Sequence, residues 1–236
     1  MSHTIVALHY WAGAGHEFDA LRPLLPPGVR LLAPDLPGFG QQPAPPHFDY
    51  SVPAYADWVA AYLAGHQVAD FTLLGHSMGG KIALLLAARR PAGLRRLVLL
   101  SPSPPPHEPM SATARAAARA AYGQPAEAEK TSRKITYHPL SAAAHATVVA
   151  DNLRTRRPAW NHWLDQGTRT DITAELGTLA VPCQLLVGAH DTAVTPATQR
   201  RLTLPYLPAG TTLTVVPGAG HLLPLEVPAA VAAALR

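Results

Sequence analysis

One segment constrains this 236-residue chain more than any other: Phe71-Thr72-Leu73-Leu74-Gly75-His76-Ser77-Met78-Gly79-Gly80-Lys81-Ile82-Ala83-Leu84. The apolar run Phe71 to Gly75 reads as a strand, and Gly79 to Arg90 reads as a helix stopped by Pro91. Between them lies a Gly-x-Ser-x-Gly pattern. The bare pattern is common by chance, and the strand before it and helix after it supply the specificity. A serine exposed on a sharp strand-to-helix turn needs small neighbours, and Gly75 and Gly79 let the strand and helix approach. The helix N-terminus also favours negative charge developing nearby, including the oxyanion of acyl transfer. Ser77 is therefore the candidate nucleophile, with an ordinary strand–helix turn as the bland alternative.

A serine hydroxyl needs a base at neutral pH. Among twelve histidines, His221 lies in Val215-Val216-Pro217-Gly218-Ala219-Gly220-His221, a loop directly after the last predicted strand. Loops at the carboxyl ends of parallel strands face one edge, the edge that carries Ser77. His76 points away from the site if Ser77 points into it, because neighbours on an extended segment alternate. His190 competes, since it too follows a strand. The base needs a carboxylate to hold its tautomer. Asp191 follows Leu185-Leu186-Val187-Gly188-Ala189-His190, whereas the preceding strand ends in Ser101-Pro102-Ser103 with no acid. The chain order Ser77, Asp191, His221 results.

The strands read as Thr4 to His9, Val29 to Ala33, Phe71 to Gly75, Leu97 to Leu100, Leu185 to Val187 and Leu213 to Val216. Helices are predicted over Phe18 to Leu25, Tyr55 to Ala64, Gly79 to Arg90 and Val227 to Leu235, with another starting at Thr195-Pro196. Continuous Val/Leu/Ile runs suit strands buried on both faces of a parallel sheet. The alternation predicts an α/β fold: a doubly wound, mostly parallel sheet of about six strands with helices on both faces. From His107 to Gly177 no strand is legible. This region is read as a helical cap inserted into a core formed by residues 1–106 and 178–236. Trp160 and Trp163 within it are candidate walls of a substrate pocket, against the bland reading of a basic helix with a tryptophan anchor.

Hydrophobic residues make up 48% and charged residues 14%, which fits a folded globule. The formal charge of +4 is spread along the chain, and no Lys/Arg run is long enough to track a phosphate backbone, so nucleic acid is not an expected partner. No apolar stretch of roughly 18 residues suggests a membrane span, and Met1-Ser2-His3-Thr4 lacks a basic leader. A cytoplasmic location is the expectation. The single cysteine, Cys183, reads as a small buried hydrophobe at a strand start.

These motifs together resemble the α/β-hydrolase superfamily over nearly the whole chain outside the insertion. Gly-His-Ser-Met-Gly-Gly-Lys is similar to the elbow of small cytosolic esterases, His190-Asp191-Thr192-Ala193-Val194-Thr195-Pro196 to the acid loop, and Pro34-Asp35-Leu36-Pro37-Gly38-Phe39-Gly40 to the turn after the second strand, with Asp35 and Gly38 structural, and the compact chain is comparable with small bacterial esterases. The resemblance implies an oxyanion hole made by the backbone N–H groups of Met78 and of the loop after the first strand. There Leu8-His9-Tyr10-Trp11-Ala12-Gly13 stands where the family has His-Gly-x, so Tyr10 replaces a glycine and Trp11, with Ala12 behind it, takes the donor position. The implied activity is hydrolysis of a small carboxylic ester without metal or organic cofactor. Thioester hydrolysis, carbon–carbon cleavage, perhydrolysis or elimination by the same triad are alternatives, as is a non-enzymatic receptor. Haloalkane dehalogenases and epoxide hydrolases are disfavoured by the serine at position 77.

Overall fold

The computed structural model describes residues 3–236; Met1 and Ser2, part of the stretch read above for a leader, lie outside the described residues. Six strands form a single sheet: β1 (Thr4–Leu8), β2 (Arg30–Leu32), β3 (Phe71–His76), β4 (Leu94–Leu100), β5 (Cys183–Gly188) and β6 (Thr212–Val216). Their order is β2-β1-β3-β4-β5-β6, and every pair is parallel. The α/β class read from the sequence is the class observed. Strand bounds differ mainly at the ends: β4 begins at Leu94, and β2 is a short edge strand.

The helices are α1 (Val52–Gly65), α2 (Met78–Ala88), α3 (Ala112–Ala120), α4 (Pro125–Ile135), α5 (Ala142–Arg154), α6 (Arg157–Asp165), α7 (Pro196–Thr198), α8 (Leu223–Glu226) and α9 (Pro228–Ala234). Side-chain caps start several of them. Ser51, Ser111 and Ser141 each accept the N–H three residues on, at the heads of α1, α3 and α5.

Period-two alternation divides the sheet's side chains between two layers. Val6, Leu8, Leu73, Leu97, Leu99 and Leu185 join an apolar cluster with α1 and α2. Ile5, Ala7, Leu74, Val98, Leu100 and Leu186 join a second cluster with Phe18, Leu21 and Val231 on the opposite face. Cys183 packs in the first cluster, and burial pushes its thiol up to about 12.

Two predicted helices take other forms. The helix predicted over Phe18 to Leu25 is instead part of a 3-10 stretch, Gly15–Leu24, that Leu25 caps in an extended conformation, with Pro23 inside it; proline has no N–H to give to an α-helical bond. The helix begun at Thr195-Pro196 has its cap, Thr195 accepting from Thr198 N–H, but makes one α turn and then passes through a π turn (Gln199–Thr203) and a 3-10 turn (Leu204–Tyr206).

Between β4 and β5, α3 to α6 occupy the strandless region. They touch loops at the carboxyl ends of the strands. Arg156 N–H donates to Gly38 O after β2, Lys134 O accepts from Thr192 after β5, and Ile135 O accepts from His221 N–H after β6.

Candidate active site

Ser77 follows β3 directly and precedes α2, and its backbone lies at φ +51, ψ −114. A non-glycine residue pays steric strain there, and such strain persists only where the surroundings over-determine it. They do so here. Ser77 N–H donates to Leu100 O (2.9 Å), and Ser77 O accepts from Ser103 N–H and Gly80 N–H (2.9 Å each). Glycine is required at 79, because a side chain there would fall on the carbonyl oxygens of Leu8 and His9. Gly79 N–H itself donates to His9 O (3.2 Å), which staples the turn to the loop after β1.

His221 and Asp191 meet across two loops. Nδ1 of His221 donates to Oδ2 of Asp191 at 2.8 Å, and both side chains are buried. Oδ1 of Asp191 accepts from Ala193 and Val194 N–H (2.8 and 2.9 Å), so the carboxylate is fixed. Burial pushes the Asp191 carboxyl up, but the His221 charge, the hydrogen bond to it and the Val194 amide outweigh burial and leave it below the usual range. Burial likewise pulls His221 down, while the Asp191 charge and hydrogen bond, helped by the Glu108 charge, leave it above its ordinary value. An ionised Asp191 only accepts, so Nδ1 carries the proton and Nε2 keeps the lone pair. His190, the competing histidine, is exposed and stacks on Tyr137 at 3.6 Å.

Met78 is the first residue of α2, so its N–H has no carbonyl to meet inside the helix. The facing loop is tightly held. His9 donates from Nδ1 to Tyr10 O (2.7 Å) and accepts Leu36 N–H at Nε2 (2.9 Å); burial pulls this imidazole down to about 4. Tyr10 to Gly13 form a turn, closed by Gly13 N–H to Tyr10 O (3.1 Å), with Ala12 at φ +66. Trp11 is half-buried in that turn, and its ring packs 4.2 Å from that of Trp160.

Trp160 and Trp163 are both buried, but in different places. Trp160 donates its indole N–H to Ala118 O and sits with Trp11, Ala12 and Leu164 where the insertion meets the core. Trp163 belongs to the α1/α2 cluster and packs on Gly167. Neither lines the cleft of about 530 Å³ between α5 and the residues after β1, whose walls include Tyr10, His16, Glu17, Val148, Asp151 and Arg154. Ser77, Asp191 and His221 do not line it either.

The contacts of three buried or clamping side chains escaped the reading of the sequence. His76 does not simply point away: its Nε2 donates to His221 O (2.8 Å), and its Nδ1 lies 3.0 Å from Glu17 Oε1. Glu226 accepts from Gly220 N–H and Leu222 N–H, on either side of His221, and from Tyr137 N–H of the insertion (2.9, 3.0 and 2.7 Å). Lys81, fully buried, donates to Pro106 O, Gly167 O and Thr170 O at 3.1, 3.4 and 2.7 Å, so one ammonium holds both ends of the insertion. A charged residue set in an apolar run, as Lys81 and Glu226 are, is the one signal that marks such ties. Among the described residues no group of three or more His, Cys, Asp or Glu side chains is placed to hold a metal ion, and no helix is long and apolar enough to cross a membrane.

Comparison with known proteins agrees with the fold. A family model described as "Alpha/beta hydrolase family" matches residues 5–234. The pimeloyl-acyl-carrier-protein methyl ester esterase of Neisseria meningitidis is 32% identical over 203 residues, covering 81% of this chain and 76% of the relative. The protein of the same name from Chromobacterium violaceum is 31% identical over 207 residues, covering 81% and 77%. Among solved structures, an esterase from Exiguobacterium antarcticum superposes with a TM-score of 0.89 at 19% identity, over 99% of this chain and 90% of that one. An enol-lactonase from Burkholderia xenovorans superposes with a TM-score of 0.82 at 20% identity, over 99% and 89%. At these identities the structural likeness speaks for the fold.

Proposed function

The chain belongs to the α/β-hydrolase family and is an ester-acting hydrolase; from that premise we propose that it cleaves a small carboxylic ester through an acyl-enzyme formed on Ser77. Ser77 Oγ attacks the ester carbonyl while His221 Nε2 takes its proton. Asp191 holds the tautomer in which Nδ1 is protonated and stabilises the imidazolium. The N–H groups of Met78 and Trp11 hold the oxyanion of the tetrahedral intermediate. Collapse breaks the bond to the alcohol oxygen, and His221 returns the proton to the leaving alcohol. Water, deprotonated by His221, then attacks the acyl carbon, the acid departs, and Ser77 recovers its proton.

One observation supports this reading above the others: His221, paired with Asp191 at 2.8 Å, accepts at its carbonyl from His76, the residue directly before the strained Ser77. The helices of residues 107–177 act as a cap over that edge, and Trp160, set against Trp11, is the better placed of the two tryptophans to border the ester. The relatives' name points to the ester class to try first, a methyl ester at the end of an acyl chain.

The test is turnover of p-nitrophenyl butyrate and of a methyl ester of a medium-chain acid by wild type and Ser77→Ala. The variant is expected to lose about 10⁴-fold or more in kcat with its unfolding temperature unchanged. Undiminished turnover would overturn the proposal.

A further inference from the structure

We propose that Glu17 is a positioning residue that acts as a neutral carboxylic acid, donating its proton to His76 so that His76 in turn holds the main chain of His221. The proposal rests on His221 being the base, and deepens that reading.

The hydrogen bonds alone restrict the protonation states. The His221 carbonyl can only accept, so Nε2 of His76 carries a proton at the 2.8 Å contact. If the imidazole is neutral, its Nδ1 has a lone pair, and Glu17 Oε1, 3.0 Å away, must be the donor. The alternative is an imidazolium beside a carboxylate. Both side chains are buried, and Glu17 Oε2 has no hydrogen-bond partner, so the ionised form would leave a charged oxygen bare in the interior. The charged form would also set an imidazolium with its ring centre 5.1 Å from that of His221, which must itself become positive during catalysis. One proton shared in the neutral arrangement avoids both costs.

The surroundings favour that arrangement. Burial first, then the charge of Asp151, pushes Glu17 well above the usual carboxylate range, against the opposing pull of His221, the Tyr10 amide and His16. Burial and the charge of His221 pull His76 down to about 3, against the His221 carbonyl, Asp191 and Glu226. Through this chain a residue on the 3-10 stretch after β1 fixes the loop after β6. Glu17 also borders the cleft beside α5, which gives that cleft a route to the base.

The test measures kcat and KM against pH for one ester with wild type, Glu17→Gln and Glu17→Leu, and records the infrared carbonyl band of a protonated carboxyl group in wild type and Glu17→Gln. Glutamine can donate to His76 Nδ1 as the acid does, so Glu17→Gln is expected to keep kcat within about threefold, with an unshifted pH profile. Glu17→Leu is expected to lose about tenfold or more in kcat with KM little changed. The protonated-acid band is expected in wild type at neutral pH and absent in Glu17→Gln. Equal loss in both variants, a shifted pH profile in Glu17→Gln, full activity in Glu17→Leu, or no such band would each overturn the proposal. Should Glu17→Leu not fold, Glu17→Gln and the band still decide. The band does not depend on turnover, so a failure of the proposed ester chemistry is distinguishable from a failure here.

Discussion

In the sheet, every residue of β1 and β3 is buried, whereas α3 buries only Arg115 and α4 only Ala128 and Ser132. The sheet is held by packing, which is continuous and insensitive to any single polar contact. The insertion is held by discrete ties, among them Lys81 to three carbonyls, Glu226 to Tyr137 N–H and His221 N–H to Ile135 O. Two small apolar seams, Tyr10–Val148–Leu222 and Ala12–Trp160–Leu164, add to the joint, and Ala159, Trp163, Ile172 and Leu176 anchor the end of the insertion nearer β5 in the α1/α2 cluster. The difference separates two jobs. Packing fixes the strands on either side of Ser77, whose strained turn is closed by backbone hydrogen bonds to Leu100 and Ser103, and polar ties connect the helices of residues 107–177 to the loop that carries His221. Local opening is expected to begin in α3 and α4, where apolar contacts are few.

The largest effect expected on the sheet side is chemical. Asp191→Asn places an amide N–H or a weaker acceptor at His221 Nδ1 and lowers kcat by about 10⁴-fold, as wrong-tautomer variants do, while the melting curve stays within a few degrees of wild type. Equal kcat in Asp191→Asn would show that the carboxylate is not the orienting acid.

On the insertion side the largest effect is expected from Lys81→Met. Burial pulls the ammonium down to about 8, so it is mostly charged at neutral pH and gives its three protons to three carbonyls. The apolar replacement leaves those carbonyls unpaired and costs about 2 to 3 kcal/mol in urea unfolding. Limited proteolysis should then cut within residues 107–177 before the sheet. Cleavage in the sheet first would erase the contrast. Glu226→Gln is next: an amide nitrogen would face N–H donors, and a loss of about 1 to 2 kcal/mol with a moderate fall in kcat is expected, read by unfolding and steady-state kinetics.

The pH profile sharpens the account of the base. His221 must be neutral to accept the serine proton, and its pKa is raised. Activity therefore falls as pH drops through a value above the ordinary 6.5, and Asp191, held low, stays ionised across that window. An ascending limb in kcat/KM below 6.5 would contradict the burial and pairing described. The smallest effect belongs to the exposed pair Arg133–Glu129 on α4. Arg133→Ala should change stability by less than about 0.5 kcal/mol, because such pairs are solvent-screened.

What could be read from the residues divides along the same line. The strands and α2 were legible because burial on both faces writes continuous apolar runs, and the elbow because Gly75 and Gly79 are sterically required. The positions of Asp191 and His221 followed from strand ends alone. The Glu17–His76 chain was not legible, since the two residues stand 59 positions apart, Glu17 belongs to no motif, and His76 fills a position the Gly-x-Ser-x-Gly pattern leaves open. The 3-10 form of Gly15–Leu24 was missed because its apolar spacing is compatible with an α-helix, and only Pro23 argues otherwise. Which tryptophan borders the core loop depended on how α6 docks, and Trp160 and Trp163 are three residues apart on one helix.

The central claim is that Ser77 is a nucleophile activated by the His221–Asp191 pair. Intact-mass analysis with a fluorophosphonate probe tests it most directly. A single phosphonyl adduct mapping to Ser77 is expected, absent in Ser77→Ala and formed far more slowly in Asp191→Asn. No adduct on the folded wild-type protein, or an adduct on another residue that persists in Ser77→Ala, would contradict the account.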